Sequence, residues 1–247
     1  MGPNVIALCV CLVVVIVKLP RAIRGGGRVS TGGMAALCGG LLLTIPAVYL
    51  VVDGWLGGIN LANVLVRAFV FIAASAMAVA LSRSFNAPSV ELFVLSWKGA
   101  TVLAVSVAAE VIFLLLAHPE GSAAGLPTEG RDELFFAWYA TVGYLYPAYL
   151  SCLLIVPLVR YGMRRQLGVL IRMGCWSMAV ALGCIVFLAA VFAAQALGTV
   201  ATGTGVGPVA WVGVSLFGVG MIFQIIGTRL EAAEAPQPQG AAPTEVA

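Results

Sequence analysis

Apolar residues run along this chain in long, nearly unbroken stretches separated by short polar segments. Seven stretches, at about 3–18, 34–52, 60–82, 98–117, 134–159, 168–197 and 207–228, approach or exceed the roughly 20 residues a helix needs to cross a bilayer core. The first is short, while the fifth and sixth are long enough to tilt. None alternates apolar with polar positions as a barrel strand would. Lipid offers no partner to a bare backbone amide, so continuous apolar runs predict helices. The expected fold is an all-α membrane protein of seven transmembrane helices, one domain over 1–230. A cytoplasmic tail of Ala, Pro, Gln and Glu is expected to be disordered over 231–247.

Composition supports that class. Of 247 residues, 62% are hydrophobic and 9% charged, and mean hydropathy is +1.07. A soluble domain carries about 25% charged residues. The net charge of +3 offers no basic face to a phosphate backbone, so nucleic acid is not an expected partner. Met1-Gly2-Pro3-Asn4 puts no charged side chain before the first stretch, and no small-residue cleavage site follows it, so that stretch reads as a retained helix rather than a secretory signal.

Charge sets the expected orientation. Lys18, Arg21, Arg24, Arg28, Arg83, Lys98, Arg160, Arg164, Arg165, Arg172 and Arg229 would all fall on one side. Arg131 falls on the other, whose loops hold Asp53, Glu120, Glu129, Asp132 and Glu133. Short basic loops stay cytoplasmic, so the N-terminus is expected outside and the C-terminus inside a bacterial plasma membrane. The basic segments, above all Lys18, Arg21, Arg24, Arg28, Arg160, Arg164 and Arg165, are candidates to meet anionic lipid or a cytosolic protein. Loop 118–133, with Gly121-Ser122-Ala123-Ala124-Gly125, reads as a flexible outer connection.

Little chemistry of a catalytic kind is visible. Cys9, Cys11, Cys38, Cys152, Cys175 and Cys184 all lie in apolar stretches without a CxxC spacing, and His118 is the single histidine. They read as small packing residues, and no metal or cofactor is expected. Gly203-Thr204-Gly205-Val206-Gly207 lacks the lysine a phosphate loop needs. Pro46 and glycines such as Gly39, Gly40, Gly174, Gly213 and Gly220 allow kinks and close helix packing.

Two ionisable residues remain inside stretches. Arg67 would lie about 10 Å and Glu110 about 12 Å from the outer ends of consecutive, antiparallel helices at 1.5 Å rise per residue. A charge at membrane depth costs at least ~2.5–3.5 kcal/mol and calls for a partner or a cavity. An ion pair at matched depth follows. Asn60 and Asn63 share the Arg67 helix face. Tyr139, Tyr144, Tyr146 and, one turn on, Tyr149 enter from the fifth stretch, where Pro147 can bend the helix, and Gln195 from the sixth. Two readings stay open: a structural ion pair with tyrosines as interhelical glue, or an outward polar pocket for a ligand or ion.

Lys18, Arg21 and Arg24 after the first stretch, Pro46-Ala-Val-Tyr49, Gly58-Ile-Asn60-Leu-Ala62 with Leu65-Val66, and Tyr139-Ala-Thr with Tyr144 and Tyr149-Leu resemble actinobacterial seven-span membrane proteins of unknown function, often labelled transporters. The resemblance covers about residues 5–195 and implies the seven-helix fold. Its members often carry a cytosolic C-terminal domain, where only a short tail is expected here. It supplies no catalytic residues. The expected activity is that of a non-enzymatic membrane regulator or sensor with a polar outer-leaflet site, with a small-solute transporter as the alternative.

The orientation is directly testable. A cysteine at Ser122 should react with an impermeant thiol reagent on intact cells and one at Gln166 should not. The reverse pattern would overturn the assigned sidedness.

Overall fold

The computed structural model describes residues 3–117, 133–199 and 207–234. Those residues fold into helices, and no strand occurs among them. In chain order they are α1 (Pro3–Ile23), α2 (Arg28–Leu43), α3 (Pro46–Trp55), α4 (Leu61–Ser84), α5 (Pro88–Leu95), α6 (Trp97–Ala117), α7 (Glu133–Gly162), α8 (Val169–Ala196) and α9 (Gly207–Glu234). Six of these, α1, α4, α6, α7, α8 and α9, are long and apolar enough to cross a membrane, and α2 with α3 would make a seventh as a broken span. The chain is therefore a multi-pass helical membrane protein.

The second expected span differs from its sequence reading. A continuous helix over 34–52 is replaced by two helices bent by 93°. Pro46 cannot donate to the carbonyl one turn earlier, and its ring disfavours helical geometry at the residue before it. Ile45 accordingly turns extended, with φ −80° and ψ 120°. Thr44 closes the end of α2, its hydroxyl donating to the Leu41 carbonyl at 2.6 Å. Three boundaries also move. α1 continues through Pro20 to Ile23, α9 continues to Glu234, and a short helix, α5, occupies the connection between the third and fourth expected spans. Leu92, Leu95 and Trp97 are exposed on and just after α5, as suits a segment at a membrane interface. Loop 118–132, the glycine run over 203–206 and the tail over 235–247 lie outside the described residues.

Packing closes most of the helices into a ring. α1 lies against α2, α2 against α4, α4 against α7, α7 against α8, α8 against α9, and α9 returns to α1. α6 stays outside the ring, along α7 and beside α4. Small residues allow close contacts where hydrocarbon supplies no hydrophobic drive. On α2, a Cβ added at Gly33 would sit 2.8 Å from that of Ala76, and one at Gly40 would sit 3.3 Å from that of Phe69. That early-to-late pairing makes α2 and α4 antiparallel. Between α8 and α9, a Cβ at Gly174 would come 2.8 Å from the Gly220 carbonyl oxygen. Polar side chains reinforce the same seam. Gln224 donates to the Ile171 carbonyl at 2.9 Å, and Ser177 donates to the Leu216 carbonyl at 2.7 Å. Outward-facing Leu12, Ile16, Ile72, Ile112, Val180 and Phe187 are exposed, an apolar surface suited to lipid.

Candidate functional site

The polar site is built where α3, α4, α6 and α7 meet. Arg67 is the seventh residue of α4, Glu110 the eighth from the end of α6, and Tyr139 the seventh of α7. All three therefore lie about 10 Å from the same end of the bundle, opposite the arginine-rich end. Arg67 Nε stands 3.9 Å from Glu110 Oε1, with the Glu110 side chain 1% exposed and Arg67 21% exposed. Glu110 reaches inward from outside the ring, through the seam between α4 and α7. Neither carboxylate oxygen of Glu110 makes a hydrogen bond, and neither does the Tyr139 hydroxyl. The pair is an electrostatic contact rather than a locked fork.

Two rings confine the guanidinium. Arg67 Cζ lies 5.4 Å from the centroid of Tyr139 and 5.3 Å from that of Tyr144, both inside cation–π range. Tyr144 is in turn stacked on Phe192 of α8 at 5.0 Å. Beneath the pair sits Gly143, on the α7 face between those tyrosines. A Cβ there would lie 2.5 Å from Arg67 Cζ and 2.6 Å from Glu110 Oε1. The ion pair fills the space a side chain would occupy.

A second cluster orients α4. Asp53, in the last turn of α3, is fully buried. Its Oδ2 accepts from the Asn60 amide at 3.0 Å and its Oδ1 from the Ala62 amide at 3.0 Å. This carboxylate satisfies otherwise orphaned amides at a helix N-terminus and complements its dipole. Asp53 was expected in an outer loop; the bend at Pro46 instead folds it under α4. Asn60 adopts φ +62°, a left-handed conformation that asparagine tolerates better than most residues. The Tyr49 hydroxyl donates to Asn60 Oδ1 at 2.9 Å and accepts from Asn63 Nδ2 at 2.7 Å.

The structure thus gathers Arg67, Glu110, Tyr139 and Tyr144 into one group and joins Asn60 and Asn63 to a neighbouring one. Tyr146 belongs elsewhere. Its hydroxyl meets Ser75 Oγ at 2.7 Å and its ring packs on Phe71 at 5.0 Å, within the apolar core. Gln195 sits in the last turn of α8 and does not line the cavity. Tyr49, Asp53 and Gly143 are the residues that sequence reasoning passed over. The signal for Gly143 was its position one turn from Tyr139 on the same α7 face.

Inside the ring lies a cavity of about 440 Å³, within the size range of small-molecule sites. Tyr49, Asn63, Arg67 and Tyr144 line one end, and Leu81, Leu154 and Phe217 line it toward the other. Its serine and threonine hydroxyls are engaged by backbone: Thr44 as above, and Ser151 donating to the Pro147 carbonyl at 2.8 Å. No group of three His, Cys, Asp or Glu able to hold a metal occurs among the described residues. Comparison of the chain with protein-family models, curated proteins and solved structures returns no match.

Overpacking Gly143 should disturb the ion pair. Gly143→Ala should lower stability by about 1–3 kcal/mol, read as a drop in detergent melting temperature. Gly183→Ala, on α8 with nothing within 4 Å of its added Cβ, should not, because alanine favours a helix over glycine by up to ~1 kcal/mol. Equal effects at the two sites would show that the close approach at Gly143 is unimportant.

Proposed function

We propose that this chain is a non-enzymatic ligand-binding protein of a bacterial plasma membrane, a sensor or regulator that takes a small molecule into its central cavity. The observation that carries this reading is the cavity itself: mostly apolar walls inside a ring of helices, with two tyrosines, an asparagine and an arginine grouped at one end. Apolar walls with a few convergent polar groups are the usual make-up of a small-molecule site. The lining hydroxyls of Thr44 and Ser151 donate to backbone carbonyls, which fits binding better than nucleophilic chemistry.

The proposed orientation is N-terminus outside and C-terminus inside, which puts the Arg67 end in the outer leaflet. It rests on the eleven basic residues gathered at the other end of the bundle and the positive-inside rule. At that end Arg21, Arg24, Arg28, Arg160, Arg164 and Arg165 are exposed, while Lys18 is held by Ser30 Oγ at 3.1 Å. These residues are suited to anionic lipid or to a cytosolic partner that would relay occupancy of the cavity. The actinobacterial seven-span resemblance belongs to the same proposal.

A second reading, a small-solute transporter, draws on the bend between α2 and α3. Thr44 and Tyr49, on either side of it, line the cavity, and broken helices at membrane depth often flank transported solutes.

Trp211 lines the cavity and reports on it. In a variant keeping Trp211 as its single tryptophan, in phosphatidylcholine nanodiscs, a neutral bromoalkanol should quench fluorescence saturably. Ala74→Phe, which fills the cavity from α4, should weaken that quenching at least about tenfold. Equal, non-saturating quenching in both proteins would mean the probe is sensed only from the bilayer, and the binding reading would fail.

A further inference from the structure

Arg67 faces two ways. It lines the cavity, and it forms the ion pair with Glu110. Glu110 lies behind it and contributes nothing to the cavity wall. Among the cavity-lining residues Arg67 alone carries a formal charge, so the charged end of a mostly apolar chamber is cationic. From Arg67 to Leu81 the cavity follows α4 for about 21 Å at 1.5 Å per residue. The wall along that run is Val70, Ala73, Ala74 and Met77. A short cationic end and a long apolar run match an anionic head on a single hydrocarbon tail.

The hold of Glu110 on Arg67 is loose. At 3.9 Å the contact exceeds hydrogen-bond distance, and both carboxylate oxygens lack a hydrogen-bond partner although the side chain is 1% exposed. A guanidinium carries five N–H donors. Oxyanions that approach it in the plane of the fork gain short, charge-assisted hydrogen bonds. The neighbouring groups that share this field are Tyr139 and Tyr144 from α7. From α5, Glu91 faces the other end of the bundle, in an ion pair with Arg83 at 2.8 Å.

We propose that the cavity binds a single-chain anionic amphiphile whose head group engages Arg67 and whose tail lies along α4 toward Leu81, and that Glu110 is the resident counter-ion with which this head group competes. The inference rests on the cavity-binding reading above and adds the chemical class of the ligand and the residue that restrains its binding. Glu110 acts on Arg67 without touching the ligand, so it is a positioning residue. Its charge keeps Arg67 partnered when the cavity is unliganded, and its withdrawal frees the guanidinium.

The test uses the Trp211-only protein with two probes of equal tail length, 8-bromooctane-1-sulfonate, which stays charged at all working pH values, and neutral 8-bromooctan-1-ol. In phosphatidylcholine nanodiscs the sulfonate should quench Trp211 saturably with an affinity about tenfold above that of the alcohol. Glu110→Gln should tighten the sulfonate about tenfold further and leave the alcohol within about twofold. Arg67→Gln leaves a buried acid unpaired and is open to misfolding, so the preference is also read in Arg67→Gln with Glu110→Gln, where it should vanish while alcohol binding persists. Equal affinity for the two probes in the parent protein would overturn the ligand class and leave the cavity reading standing. Saturable quenching by neither probe would overturn the cavity reading itself. Unchanged sulfonate affinity in Glu110→Gln would overturn the counter-ion role. Loss of saturable sulfonate binding when phosphatidylglycerol replaces phosphatidylcholine would assign Arg67 to a bilayer head group and overturn the single-chain ligand.

Discussion

A carboxylate from a helix outside the ring must find a positive partner inside it, and that requirement shapes the end of the bundle where α4, α6 and α7 meet. Each charge at membrane depth costs at least ~2.5–3.5 kcal/mol on its own. At the 3.9 Å separation of Arg67 and Glu110, an effective dielectric near 20 returns about 4 kcal/mol of Coulomb attraction. Stacking of the guanidinium between Tyr139 and Tyr144 adds roughly 0.5–2 kcal/mol per ring. The sums nearly cancel, so the pair is no great source of stability. It is instead a constraint: neither residue can lose the other without stranding a charge. Gly143 and the depth of α6 both follow from it, because the pair needs the volume of a missing side chain and a common height.

The bend after Thr44 serves the same arrangement from the other side. By turning α3 across the end of the bundle, it brings Asp53 beneath the first turn of α4 and Tyr49 to the amides of Asn60 and Asn63. The start of α4, and with it the height of Arg67, is thereby set by side chains rather than by loop length. The hydrogen bonds of this cluster lie at the same end of the cavity as the guanidinium. A rigid polar end and a mostly apolar body are what a binding chamber for an amphiphile requires.

Much of this was legible in the sequence. Continuous apolar runs announce helices at membrane depth whatever their tertiary partners, because the backbone has no alternative. Matched depth made the Arg67–Glu110 pair predictable from spacing alone. Less legible was everything that depends on a change of direction. Pro46 marked a place where a kink was allowed, but its 93° angle depends on packing of α3 against α4, and without that angle Asp53 reads as a loop residue. Tyr146 was misgrouped because seven residues return an α-helix to nearly the same face, so it shares that of Tyr139, yet it lies about 10 Å further along α7 at 1.5 Å per residue, where it meets Ser75 and Phe71 instead of Arg67. Gly143 carries no side chain to attract notice, and its meaning appears only when two neighbours occupy its space. The cavity is a property of the closed ring, which no single helix encodes.

The most direct test of the central ion pair is a double-mutant cycle read by detergent melts on the parent protein, Arg67→Leu, Glu110→Leu and the double variant. Each single change should cost about 1–3 kcal/mol, because it leaves the other charge unpaired. The double variant should recover most of that loss, because apolar side chains replace a buried pair at little net cost. Strictly additive losses would show that the two residues do not interact, and would contradict the account.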